Sequence, residues 1–289
     1  MRDEELTAEV VARLEAAPDP RLREVLQALV RHLHAFATEV RLSEAEWLAG
    51  IGFLTATGQI CDDVRQEFIL LSDTLGLSML VDLINHGGDD PAATEPTVLG
   101  PFYVPGSPWR EYGESMVTWD GATGQPAVVR GRVLSAGGTP LPGAVLDLWQ
   151  NDASGFYAVQ QPSVQPPDNL RGRYRAGADG EYEIATIRPV PYPIPADGPV
   201  GDLLSRTGRH PWRAAHIHFI VTAPGHVPVT THIFDSESDY LDSDAVFGVK
   251  GSLVKRFATQ PDGTALLEHD FVLVSTDDRG GGTAPAPRS

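Results

Sequence analysis

The feature that most constrains the fold of this chain is a change of hydrophobic period close to His86. Before it, apolar residues recur at helical spacing; after it, from about Val128, they fall in short runs between Gly and Pro turns. Such a chain is expected to be mainly β with an α-helical N-terminal domain. Leu22, Val25, Leu26, Leu29, Leu33, Phe36 and Val40 form one stripe at i, i+3, i+4 and i+7, predicting an amphipathic helix of about five turns. Asp19-Pro20 offers an N-cap followed by proline at the first helical position, and Ser43-Glu44-Ala45-Glu46 reads as a capping box opening the next helix. A third helix is expected over 62–85, with Val64, Phe68, Leu71, Leu75, Met79 and Ile84 roughly on one face.

The breaker cluster Gly87-Gly88-Asp89-Asp90-Pro91 closes the helical part. Strands are expected over 128–134, 144–149, 180–187, 215–222, 227–234 and 266–274, a number that suggests an antiparallel β-sandwich. The expected organisation is a helical domain over 1–95, a sandwich domain over 96–278 and a disordered Gly/Pro/Ala-rich tail over 279–289.

Composition narrows the partners. A formal charge of −17 opposes binding to nucleic acid or anionic lipid, both of which need a cationic footprint. The single cysteine, Cys61, excludes an internal disulfide and a Cys-rich zinc or iron–sulfur site, and fits a reducing cytoplasm. Met1-Arg2-Asp3-Glu4-Glu5 lacks the order of a signal peptide, and the apolar stretch 68–84 is broken by Ser72-Asp73-Thr74, so neither export nor a membrane span is expected.

The densest chemical signal is Arg213-Ala214-Ala215-His216-Ile217-His218-Phe219. The two-residue period of a strand puts both imidazoles on one face and Ile217 and Phe219 on the other. Imidazole suits Zn, Cu, Fe and Ni alike, so the pair names no metal, and two strand histidines satisfied by hydrogen bonds fit the same pattern. A 2-His-1-carboxylate site would need an acid nearby, with Asp235 the nearest in sequence. Two tyrosines stand in unusual loops: Tyr157 in Gly155-Phe156-Tyr157, and Tyr192 in the proline-stiffened stretch Pro189-Val190-Pro191-Tyr192-Pro193-Ile194-Pro195. A phenol is ordinarily neutral, but a trivalent cation can bind its phenolate; packing at a loop base accounts equally well for either tyrosine alone.

Taken together, Thr97-Val98-Leu99-Gly100-Pro101-Phe102, Asp147-Leu148-Trp149-Gln150-Asn151-Asp152 leading to Gly155-Phe156-Tyr157, Arg188-Pro189 before Tyr192, and Arg213 with His216-Ile217-His218 resemble the intradiol ring-cleavage dioxygenases. The likeness runs from about residue 20 to about residue 275. It implies an iron enzyme that uses O2 to open an aromatic ring between two hydroxylated carbons, with one Fe(III) per subunit held by Tyr157, Tyr192, His216 and His218. It also implies catalytic roles for Arg213, Tyr192 and His232, a sandwich catalytic domain, and a homodimer formed through the N-terminal helices. Catechol-type members carry a lipid between interface helices.

His232, in Thr231-His232-Ile233-Phe234, stands where catechol-type members usually carry glutamine. Together with Leu241-Asp242-Ser243-Asp244-Ala245-Val246-Phe247-Gly248-Val249-Lys250 and Phe68-Ile69-Leu70-Leu71-Ser72-Asp73-Thr74-Leu75-Gly76, it resembles the hydroxyquinol-cleaving branch. By motif position the substrate wall would comprise Leu70, Asp73, Val98, Leu99, Gly100, Pro101, Phe102, Ile194, Pro195, Arg213 and Val246. Leu70 and Asp73, three apart on a helix, face the same way. One can pack on the ring while the carboxylate accepts a bond from a third hydroxyl; leaving that carboxylate unpaired costs roughly 1–3 kcal/mol, about tenfold to a hundredfold against catechol. The competing expectations are catechol or chlorocatechol cleavage, an Fe(II) extradiol or cupin-type oxygenase independent of both tyrosines, and a non-catalytic prealbumin-like binding module.

Overall fold

A computed structural model describes residues 2–62, 65–86 and 92–277. The predicted tail over 279–289, the breaker cluster over 87–91 and Val64 lie outside the described residues. The chain divides into two compact units, with the division between Gln59 and Ile60.

The first unit holds three helices, α1 (Asp3–Arg13), α2 (Pro20–Glu39) and α3 (Glu44–Gln59). The starts of α2 and α3 follow the expected signals. The Asp19 carboxylate accepts from the Arg21 and Leu22 amides, and Ser43 and Glu46 bond reciprocally, each taking up a helix-end donor that would otherwise have no partner. The α2 stripe is exposed: Leu22, Val25, Leu29, Leu33, Phe36 and Val40 all face solvent in this single chain.

The second unit opens with α4 (Glu67–Thr74) and α5 (Leu77–His86). They replace the one long helix expected over 62–85. Gly76 adopts φ +75° between them, a left-handed conformation that ends α4 as a glycine C-terminal turn and that an apolar period cannot reveal. Cys61 follows the end of α3.

Two five-stranded sheets follow. The strands are β1 (Pro126–Ser135), β2 (Val145–Trp149), β3 (Arg171–Arg175), β4 (Glu181–Ile187), β5 (Tyr192–Pro193), β6 (Trp212–Arg213), β7 (His216–Thr222), β8 (Val229–Asp235), β9 (Val254–Lys255), β10 (Ala258–Thr259), β11 (Ala265–Glu268) and β12 (Phe271–Leu273); helix α6 (Pro199–Arg206) lies between β5 and β6. In one sheet β1 has β4 along one edge and β11 followed by β12 along the other, with β10 outside β11; the other runs β3-β2-β7-β8-β9; β5 and β6 form a separate ribbon. The sandwich is mixed rather than purely antiparallel, because β1 pairs in parallel with β11 and β12, and β8 with β9. The strand expected over 266–274 is interrupted at His269-Asp270 into two pieces, which pair in one parallel register with successive stretches of β1. Strand β3 escapes an apolar-alternation search because its inward residues are Gly172 and Tyr174 between arginines.

Residues of both sheets share one core, including Val129, Val133, Leu146, Leu148, Ile184, Phe271 and Leu273. Ile217, Phe219 and Val221 join it from β7, each fully buried. Strand alternation then turns His216 and His218 to the opposite face. The stable side of β7 is the reason its polar side is fixed.

Candidate metal centre

Each element that meets the polar face of β7 brings one chemical group. Trp149 of β2 lies directly opposite His218 in the ladder and stacks on its ring at 4.6 Å. His232 of β8 lies opposite His218 on the other side, with ring centroids 4.2 Å apart. Tyr157 comes from the loop after β2, which Asp152 shapes by accepting from the Ser154 and Phe156 amides and from Gln165. Asn151 Nδ2 donates to Val190 O, tying that loop to the segment that carries Tyr192. Tyr192 is cross-strand partner of Arg213 in the β5–β6 ribbon. The short motif around Asp147–Asp152 thus fixes where both tyrosines arrive.

Four donor atoms converge. His216 Nε2 lies 3.1 Å from His218 Nε2, and His218 Nε2 lies 3.0 Å from Tyr157 Oη. Tyr192 meets Tyr157 edge-on with centroids 5.3 Å apart. The Arg213 Nη1 donor is 3.3 Å from Tyr192 Oη and 3.2 Å from His216 Nε2. All five side chains are essentially buried. His216 Nδ1 donates to Ala214 O at 2.7 Å, leaving its Nε2 lone pair facing inward, the usual arrangement of a ligating histidine.

Electrostatics favour a cation between these atoms. Burial holds His216, His218 and His232 well below the ordinary histidine pKa, aided by Arg213 and the neighbouring imidazoles, so all three rings are neutral at pH 7. Burial likewise pushes the Tyr157 phenol well above its usual value, with Tyr192 adding to it, so its phenolate requires a strong positive charge nearby. Two neutral imidazole nitrogens in van der Waals contact can share only one proton; a metal ion satisfies both, together with the phenolic oxygens. Phenolate and imidazole together suit a hard, high-valent ion such as Fe(III). His216, His218 and His232 also form the one three-histidine group of metal-binding spacing among the described residues. Both ring nitrogens of His232 lack a hydrogen-bond partner. Asp235, the candidate third ligand of a 2-His-1-carboxylate site, is instead ion-paired with Arg188 at 2.5 Å.

The expected wall residues fall into two sets. Leu70, Ile194 and Val246 meet in one buried cluster with Val200, Leu204 and Ala245. Asp73 is buried on the same helix; desolvation raises its pKa, with Ser78 and Arg213 opposing and Asp244 adding. The 97–102 segment passes the other side. Thr97 N donates to Thr230 O, a Cβ at Gly100 would stand 3.1 Å from His218 Cε1, and Phe102 stacks on Tyr157 at 4.7 Å. Val98, Pro101 and Pro195 are half-buried, while Leu99 is exposed. Two residues of the centre received no role from sequence: Trp149, whose ladder position beside His218 was available, and Asp244, which bonds Arg213 from 31 residues away without any local pattern.

Comparisons with known proteins give the family. Residues 98–275 match the family model described as dioxygenase, and 19–92 the one described as catechol dioxygenase N terminus. The chain belongs to the intradiol dioxygenases, a family of iron-dependent enzymes. It is 52% identical to 6-chlorohydroxyquinol 1,2-dioxygenase of Cupriavidus pinatubonensis, over 94% of this chain and 97% of that one. It is 50% identical to hydroxyquinol 1,2-dioxygenase of Nocardioides simplex, over 91% and 88% respectively. Among solved structures it is similar to hydroxyquinol 1,2-dioxygenase from Pseudomonas putida DLL-E4, with TM-score 0.88 and 51% identity over 94% of this chain and 98% of that one. Among the described residues no helix is long and apolar enough to cross a membrane.

Proposed function

We propose that the chain cleaves hydroxyquinol (1,2,4-trihydroxybenzene) with O2 between its adjacent hydroxylated carbons, giving 3-hydroxy-cis,cis-muconate and, by tautomerisation, maleylacetate. The observation that carries the reaction is the convergence of His216, His218 and Tyr157 donors within about 3 Å beside Tyr192 and Arg213. One Fe(III) per subunit would be held by Tyr157, Tyr192, His216 and His218, and when bound it supplies the Lewis acidity and electron transfer that make the diol reactive toward O2.

The remaining steps belong to side chains. Tyr192 Oη, with the Arg213 guanidinium 3.3 Å away, is placed to take a proton from a substrate hydroxyl. Arg213 stays charged: burial alone would weaken its hold on the proton, but Asp244, Tyr192 and Tyr157 outweigh burial and the net shift is upward. A fixed cation there stabilises negative charge spreading over the ring. His232, neutral and without a partner, offers a hydrogen bond on the oxygen side. Leu70, Ile194 and Val246 present an apolar wall to the ring, and Val98, Gly100, Pro101, Phe102 and Pro195 line the approach with Leu99 at its rim.

The third hydroxyl selects hydroxyquinol over catechol. The Asp73 carboxylate, 3% exposed and bonded by Ser78, gains a further donor from that hydroxyl and goes without it when catechol is bound. The relatives named for hydroxyquinol support the same choice. The exposed α2 stripe supports a homodimer through the N-terminal helices, where a bound lipid would lie, and the lone Cys61 supports a cytoplasmic setting.

Oxygen uptake on hydroxyquinol and on catechol tests the assignment. Hydroxyquinol should be turned over with a kcat/KM about tenfold or more above catechol, and Asp73→Leu should narrow that ratio. Preference for catechol overturns the substrate, and no uptake by iron-loaded protein overturns the reaction.

A further inference from the structure

The geometry points to Asp244 as a positioning residue that aims the Arg213 guanidinium at Tyr192 Oη and holds its charge in check beside the metal centre; the inference rests on the catalytic reading of Arg213. Asp244 Oδ1 accepts from Arg213 Nε at 3.1 Å, and Oδ2 lies 3.5 Å from Nη2. The same Oδ2 accepts from the Gly248 amide at 2.7 Å. Both side chains are almost wholly buried, at 3% and 2% exposure. A guanidinium is planar and rigid, so gripping its Nε–Nη2 edge fixes the direction of the remaining nitrogen. That nitrogen, Nη1, faces Tyr192 Oη at 3.3 Å and His216 Nε2 at 3.2 Å.

The backbone is built around this grip. Ala245 N donates to Trp212 O, docking the turn against the strand that carries Arg213. Phe247 N donates to Asp244 O and Phe247 takes φ +58°, a conformation that non-glycine residues adopt only when their surroundings hold them there. A Cβ at Gly248 would lie 2.9 Å from Arg213 Nη2 and 3.2 Å from Asp244 Oδ2, so the turn leaves no space for a side chain beside the pair.

Charge gives the second consequence. An uncompensated guanidinium 3.2 Å from an imidazole that faces a cation would repel that cation with little solvent screening. Asp244 neutralises it. Asparagine cannot do the same: it carries no charge, and its single oxygen cannot serve Arg213 and Gly248 in the geometry the two carboxylate oxygens now occupy.

The test is a double-mutant cycle on Fe(III)-loaded protein, reading kcat, KM and the rate of iron loss to a competing chelator. Asp244→Asn should lower kcat at least about tenfold with KM changed less than about threefold, and should speed iron loss several-fold. In the Arg213→Ala background the same change should alter kcat less than about twofold and no longer speed iron loss. Gly248→Ala keeps both charges while pressing on the pair, and should show a smaller loss with the same dependence on Arg213, which preserves the test if Asp244→Asn does not fold. Native kcat in Arg213→Ala overturns the role of Arg213 itself. A loss in Arg213→Ala followed by a full further loss from Asp244→Asn overturns the positioning role of Asp244 alone.

Discussion

Replacing Gly100 with alanine separates backbone strain from disturbance of the metal centre. Gly100 has φ +77°, where an L-residue costs about 1–2 kcal/mol. Its new Cβ would stand 3.1 Å from His218 Cε1, tighter than an ordinary contact, so the imidazole must give way by a few tenths of an ångström. That ring is also stacked on Trp149 at 4.6 Å, which limits how it can move. The shift therefore moves Nε2 relative to His216 and Tyr157. Gly106 is the matched control: its φ is +82° and nothing lies within 4 Å of its Cβ position. Both alanine variants should lose about 1–2 kcal/mol, a Tm decrease of roughly 2–8 °C by calorimetry. Only Gly100→Ala should also release iron faster to a chelator and lose turnover. Equal iron retention in the two variants would refute the claim that Gly100 makes room for His218.

Further expectations follow from charge and packing. Burial raises the Asp73 pKa in the folded state, so its ionisation weakens folding as pH rises above the ordinary aspartate range. Asp73→Asn should therefore melt higher than the native protein at pH 7, with the advantage vanishing at acid pH where Asp73 is already protonated; the same advantage at both pH values would contradict the reasoning. His269, half-buried, has its pKa lowered from 6.5 to about 4 by desolvation, then Lys255. The unfolded chain binds that proton first, so stability should fall by up to about 3 kcal/mol between pH 6.5 and 4, and His269→Gln should flatten that part of the Tm–pH curve. Phe219→Ala, which empties a fully buried core position behind the histidines, should cost about 3–5 kcal/mol in denaturant unfolding.

The parts of this centre that were legible in sequence are those with a local period. His216 and His218 alternate with Ile217 and Phe219, and the structure buries each set on its own side of β7. The Asp19 and Ser43 caps follow from neighbouring residues alone. Tyr157 and Tyr192 carry no periodic signal; their loop settings marked them only as candidates, the likeness to a known family gave them a ligand role, and their approach depends on Asn151 bonding Val190 across the loop. Asp244 was silent because its partner is fixed by tertiary folding rather than by spacing. The parallel pairings of β1 were equally hidden, since apolar alternation defines a buried face without defining the direction of the neighbour.

The most direct test of the central claim is the visible absorption spectrum of the purified protein, before and after anaerobic addition of hydroxyquinol. Phenolate coordination by Tyr157 and Tyr192 predicts a broad charge-transfer band near the middle of the visible range, lost in Tyr157→Phe and moved to longer wavelength by substrate. A protein that remains colourless after reconstitution with ferric iron would contradict it.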